Sequence, residues 1–210
     1  MPDRITSQHF TGQSAVTLEP GAENLPVPIA DVPKLIGAID GSEISVSFDD
    51  ETYVFEIRHP WLEDPMIRVL SWDADEGARR LIINQNFKIL GPHRRKGLGV
   101  RSIATEMRMA LHLGIPAVSC IAAGAPGDTL NGYYTWPVLG FNADLTPHDI
   151  QALPPDFVGC RSLNDLMQRR GGAAYWRAKG HGGFLTFDTA PGSSCWVILG
   201  EYMKRNGVEL

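Results

Sequence analysis

The stretch that decides the reading is Leu81-Ile82-Ile83-Asn84-Gln85-Asn86-Phe87-Lys88-Ile89-Leu90, then Gly91-Pro92-His93, then Arg94-Arg95-Lys96-Gly97-Leu98-Gly99-Val100. Its first part is rich in β-branched and large apolar residues and reads as a strand over 80–90. The consecutive polar side chains of Asn84, Gln85 and Asn86 mark either a bulge or a stretch facing a cleft. After Gly91-Pro92 the period changes from two to 3.6. Val100, Ile103, Ala104, Met107 and Leu111 then make one apolar stripe, with Arg101, Thr105, Glu106, Arg108 and His112 directed elsewhere. Gly114 stops that helix and Pro116 forbids its continuation. Residues 117–122, Ala-Val-Ser-Cys-Ile-Ala, read as a buried strand. Strand, glycine-rich turn, helix and strand make a βαβ unit with parallel strands.

Working outward, residues 43–48 and 52–57 alternate Ile44, Val46, Phe48 and Tyr53, Phe55, Ile57 around a turn at Asp49-Asp50, and 65–72 adds another strand. Residues 1–42 carry Pro20, Pro26, Pro28 and Pro33 and read mostly as loop. A strand is placed at 15–18, and a short helix starts at Asp31 with Pro33 in its first turn. Downstream, a short helix is expected over 128–136, closed by Pro137. Ser162 caps a second one running to Arg170, Gly171-Gly172 breaks it, 184–187 is a strand, and Ser193 or Ser194 opens a closing helix. That helix carries Trp196, Leu199, Gly200 and Met203 on one face. The organisation expected is an irregular segment 1–42, a core 43–144 and an extension 145–210 within the same domain.

Composition excludes several classes. The 210 residues are 43% hydrophobic and 20% charged, with a net charge of −5 that argues against bulk attraction to nucleic acid or an anionic membrane. No apolar run suits a membrane span and the first residues do not read as a secretory signal. Cys120, Cys160 and Cys195 lie far apart, as buried reduced thiols of a cytoplasmic protein would. The six histidines show no metal-ligand spacing, and no metal is expected.

The chemistry sits in the turn. A glycine-rich link from strand to helix exposes backbone N–H groups at the positive end of the helix dipole, which suits a phosphate or pyrophosphate. Gly97 and Gly99 allow close approach, and Arg94, Arg95 and Lys96 add charge. No GK[ST] closes the turn and no GxGxxG is present, so neither a P-loop nor a Rossmann site is read.

Arg94…Gly97…Gly99 matches [Q/R]xxGx[G/A], and on this ground the chain resembles the GCN5-related N-acetyltransferase family. The likeness covers about residues 66–141 and leaves 1–42 and 145–180 without a clear counterpart. It implies an α/β fold: a mixed, mostly antiparallel sheet with a splayed parallel pair and helices on both faces, the acyl-CoA N-acyltransferase fold. It implies acetyl-CoA as co-substrate, its pyrophosphate held by the amides of Arg95, Lys96, Gly97, Leu98, Gly99 and Val100. The strand just before, through Ile89 and Leu90, would pair with the pantetheine arm, and Asn131 would bond the coenzyme or cap its helix. Acyl transfer would be direct, to a small-molecule or protein amine or an aminoacyl-tRNA, and a homodimer is allowed. The family's acid tyrosine lies five residues before the Phe of Leu139-Gly140-Phe141, where this chain has Trp136, so the role passes to Tyr134, with Tyr133 in reserve. No general base is legible: Asp73, Asp75 and Glu76 read as solvated turn residues. The rival readings are a non-catalytic acyl-CoA-binding module and a domain that uses the basic turn for a phosphorylated or nucleic-acid partner.

Overall fold

The computed structural model describes residues 1–73 and 78–210, with side chains except those of 72, 73 and 78–80. Asp75 and Glu76, read above as turn residues, fall outside the described residues. The architecture is α/β, with a mixed seven-stranded sheet in sequential strand order. The chain divides into two compact units, Met1–Val118 with Met203–Leu210, and Ser119–Tyr202.

The first unit contains α1 (Arg4–His9), β1 (Ala15–Leu18), α2 (Val32–Leu35), β2 (Glu43–Asp49), β3 (Thr52–Arg58), β4 (Met66–Asp73), β5 (Ala78–Asn86) and α3 (Leu98–His112). β1 pairs parallel with β2, and β2 through β5 pair antiparallel in chain order. The β2–β3 turn is Asp50-Glu51, one residue later than the sequence suggested, with φ of 43° and 64°. Two positive φ values in a two-residue hairpin turn match the twist of the strands it joins. Period-two alternation buries one sheet face: Ile44 opposes Ile57, Val46 opposes Phe55 and Tyr53 opposes Leu70.

Between β4 and β5, Ile67 pairs with Asn86 while Arg68 pairs with Asn84, so Gln85 is the extra residue of a bulge. Of the two readings of the polar triplet, the bulge is the one observed. β5 stops at Asn86, not at Leu90. Beyond it Ile89 makes an isolated antiparallel bridge to Leu62, Leu90 N–H donates to the Trp61 carbonyl and Glu63 N–H to that of Lys88.

Residues 1–42 carry more structure than composition implied. α1 forms because Asp3 caps it, its Oδ1 accepting from Ile5 N at 2.9 Å and Thr6 N at 3.0 Å. α3 also departs from the amphipathic template: Arg101 and Glu106 are buried, whereas Leu111 of the presumed apolar stripe is exposed.

β6 (Ala117–Ala122) begins in the first unit and enters the second. That unit adds α4 (Gly132–Val138), α5 (Pro147–Ala152), α6 (Leu163–Gln168), α7 (Gly172–Lys179), β7 (Gly183–Asp188) and α8 (Ser194–Arg205), with α8 returning to the first unit at its end. α5 and α7 were not read from the sequence. Ser162 and Asp165 form the capping box that opens α6. The core stacks Trp136, Phe141, Phe187 and Trp196 edge to face in succession. Gly140 of the Leu-Gly-Phe landmark has φ 96°, and a Cβ there would meet the Cys195 carbonyl, so only glycine lets α8 approach. Of the face expected at Trp196, Leu199, Gly200 and Met203, Leu199 is buried, Trp196 and Met203 are half-buried and Gly200 is exposed, while Cys195 and Ile198 complete the buried side of α8. All three cysteines are free and buried. Among the described residues no helix is long and apolar enough to cross a membrane.

Candidate functional site

The turn at 94–99 is built by the residues on either side of it. A 3-10 turn at Gly91–His93 leads in, and His93 stacks on Trp61 with ring centroids 4.6 Å apart. Arg95 has φ 60° and Gly97 is left-handed at φ 73°, ψ 15°, immediately before the first residue of α3. A left-handed residue followed by a helical one turns successive N–H groups toward one side, a geometry that receives anions. α3 is fifteen residues long, and no side chain caps its start. The orphan donors of its first turn are therefore available.

The three cations differ in their commitments. Arg94 donates from Nη2 to Glu63 Oε2 at 2.8 Å and from Nε to the Ile89 carbonyl at 2.6 Å. Glu63 also pairs with Lys88 at 2.9 Å. Its carboxyl is lowered chiefly by the Lys88 hydrogen bond, with the Arg94 charge helping. Arg95 and Lys96 are exposed and make no ion pair among the described residues. They are the charges an incoming anion would meet first. A Cβ on Gly99 would lie 3.8 Å from Ile89 Cδ1 and 3.9 Å from Phe87 Cε1, ordinary packing distances.

The expectation for Ile89 and Leu90 changes with the strand's end. The Ile89 carbonyl accepts from Arg94 and the Leu90 N–H is used by Trp61, so this backbone serves the turn's own architecture.

Farther along α3 lies a polar group that the sequence left unassigned. Arg68 on β4 and Glu106 on α3 are both fully buried, Nε to Oε1 at 3.2 Å, and Asn84 Nδ2 donates to Glu106 Oε2 at 3.0 Å. Burial pushes the Glu106 carboxyl upward, while the Arg68 charge and the Asn84 donor pull against it. The only sequence sign was a polar residue at a core position of β5.

The second unit places the two tyrosines differently. Tyr133 is buried, its hydroxyl donates to the Arg177 carbonyl at 2.8 Å, and its own carbonyl accepts from Trp176 Nε1 at 2.8 Å. These bonds join α4 to α7 and commit the phenol proton. Tyr134 is half-buried with the Arg177 guanidinium 5.4 Å from its ring centroid, a cation–π contact. It lines a cleft of about 390 Å³ shared with Asp128, Asn131, Thr135 and Arg177. Asn131 occupies the N-cap position of α4, but its side chain makes no capping bond and is exposed. Trp136 packs edge-on against Phe141 at 4.9 Å, and α4 continues through Pro137 to Val138.

No group of three or more His, Cys, Asp or Glu among the described residues could hold a metal ion. No family model matches the chain, and no curated protein matches it.

Proposed function

We propose that the turn at 94–99 binds the pyrophosphate of acetyl-CoA or a close acyl relative, and that the chain transfers the acyl group to an amine. The observation that carries the reading is the junction itself. An uncapped fifteen-residue helix opens on left-handed Gly97, beside two exposed cations. Gly97 supplies the left-handed turn, its missing Cβ leaving space for the Arg101 guanidinium, and Arg95 and Lys96 supply charge. The finer assignment, an acyl-CoA N-acyltransferase fold, rests on the resemblance of Arg94…Gly97…Gly99 to the family signature.

In the proposed reaction the amine nitrogen attacks the thioester carbonyl carbon and the carbon–sulfur bond breaks. The thiolate gains a proton from the Tyr134 hydroxyl, and the surplus amine proton passes to solvent, from which Tyr134 is reprotonated. Tyr134 is assigned this role because the Tyr133 proton is held by a carbonyl. The turn and Tyr134 belong to different units, and each is tested by itself.

Acetyl-CoA should raise the melting temperature. At ~100 times its Kd it stabilises by about 2.7 kcal/mol, a rise of roughly 5–10 °C for a chain of this size. No shift at millimolar ligand overturns the binding assignment. Tyr134→Phe should lower kcat at neutral pH by roughly 10- to 1000-fold, with acetyl-CoA affinity nearly unchanged. The deficit should shrink as pH rises, because the thiolate then departs unprotonated. Full activity in the variant at neutral pH removes Tyr134 from the mechanism. Binding without coenzyme A release in the presence of amines identifies the non-catalytic module.

A further inference from the structure

The turn is fastened from behind by a residue near the start of the chain. Arg101, one turn into α3, has a side chain only 5% exposed. Its Nη1 donates to the Gly97 carbonyl at 3.0 Å, and its Nη2 donates to Asp3 Oδ2 at 2.8 Å. Nε completes the set, 3.2 Å from both Asp3 oxygens and from Thr6 Oγ1. Partial burial by itself would raise the Asp3 carboxyl. The Arg101 hydrogen bond and the N–H groups of Glu209 and Thr6 outweigh it and hold Asp3 well below the usual carboxylate range. Asp3 is therefore a carboxylate throughout the physiological range.

The same segment packs the turn's apolar side. Leu98 is buried against Phe10 and Ile39, with Ile5, Trp61 and Ile89 around them. His9 meets the edge of Trp61 at 5.0 Å, on the ring that also carries His93. Asp3, Ile5, His9 and Phe10 thus converge on the flanks of residues 93–98.

We infer that residues 3–10 position the anion-binding turn, with Asp3 and Arg101 as its positioning residues; the inference rests on the binding reading above. The peptide bond is planar and trans, so its C=O and the next N–H point in opposite directions. Arg101 draws the Gly97 carbonyl inward, and this directs the Leu98 N–H outward, where a phosphate oxygen would sit. Arg101 is therefore not a phosphate ligand, since Asp3 neutralises its charge and its donors are taken up by Asp3, Thr6 and the Gly97 carbonyl. A loop fixed before the ligand arrives loses less entropy on binding.

Asp3→Asn separates this role from electrostatics and from folding. Asparagine still caps α1. Removing a negative charge near an anion site should, by charge alone, tighten coenzyme A binding. The positioning role requires the reverse. Coenzyme A titrated calorimetrically into the full chain, below the melting range of both proteins, should bind about tenfold more weakly to Asp3→Asn. Arg101→Lys, which keeps the charge and loses the fork, should act alike. Equal or tighter binding overturns the inference. Amide hydrogen exchange in the ligand-free protein decides it independently of coenzyme A. Faster exchange at 97–100, with the rest of α3 unchanged, supports the positioning role, whereas no local change or a uniform one overturns it. Failure of the unsubstituted protein to bind coenzyme A, with the exchange difference present, defeats the binding reading and leaves the positioning role standing.

Discussion

Gly99→Glu is expected to abolish coenzyme A binding while leaving the fold as stable as before, or slightly more so. The two effects have opposite signs for separate physical reasons. Gly99 is the second residue of α3, its φ lies outside the left-handed region, and an added Cβ meets only Ile89 and Phe87 at ordinary distances. Replacing glycine inside a helix gains about 0.5–1 kcal/mol, and a carboxylate in the first turn adds about 0.3–1 kcal/mol through the helix dipole. The same carboxylate would stand where a phosphate is proposed to sit and would take up the same N–H donors. A fall in affinity of about 100-fold or more follows, equivalent to about 2.7 kcal/mol or more. Thermal melting reads the first effect and calorimetric titration the second. A stable variant with unchanged affinity would show that the pyrophosphate is held elsewhere. Gly97 does not allow the same experiment, because its φ of 73° strains any other residue and a Cβ would meet the Arg101 guanidinium.

The turn was legible because its signals are local. Strand alternation ending at Gly91-Pro92, two glycines two residues apart and a 3.6-residue stripe lie within about thirty residues of one another. β2, β3, β6, β7 and the capped start of α6 were readable on the same terms. α1 was not, since six residues without a stripe cannot form a helix alone, and this one is held by the Asp3 cap and the packing of Ile5 and Phe10. The fastening of the turn was also out of reach, because Asp3 and Arg101 stand 98 positions apart. A helical wheel places charged residues toward solvent by rule, which misplaces Arg101 and Glu106 together. Each is buried because a partner from another element meets it. The polar triplet of β5 hinted at this, but only the register shows that Gln85 bulges while Asn84 faces inward.

The largest stability effect is expected from Arg68→Met. Arg68, Asn84 and Glu106 form a buried group in which β4, β5 and α3 meet, and Arg68 lies on the core-facing row between Phe55 and Asn84. Removing one partner of a buried ion pair costs about 3–5 kcal/mol, because the other charge remains in a low-dielectric site. Here the remaining group is the Glu106 carboxylate, with Asn84 as its hydrogen-bond donor. Burial already pushes that carboxyl up and the Arg68 charge restrains it, so the substitution raises it further. A carboxyl higher in the folded than in the unfolded chain binds more protons when folded. The variant is thus most stable below the unfolded value, about 4.3, and loses stability as pH rises toward the folded value. Urea unfolding should show the midpoint of Arg68→Met improving as pH falls from about 8 to about 5. Adding Glu106→Leu should restore most of the loss at neutral pH and flatten that dependence, since no buried carboxyl then remains in the group. A loss below about 1 kcal/mol for Arg68→Met, or no pH dependence, would mean that Glu106 is not held as a charge against Arg68. Glu106 stands roughly 12 Å along α3 from the turn, at 1.5 Å per residue. Misplacing it shifts the axis on which the turn's N–H groups are mounted, so the same variant should also weaken coenzyme A binding.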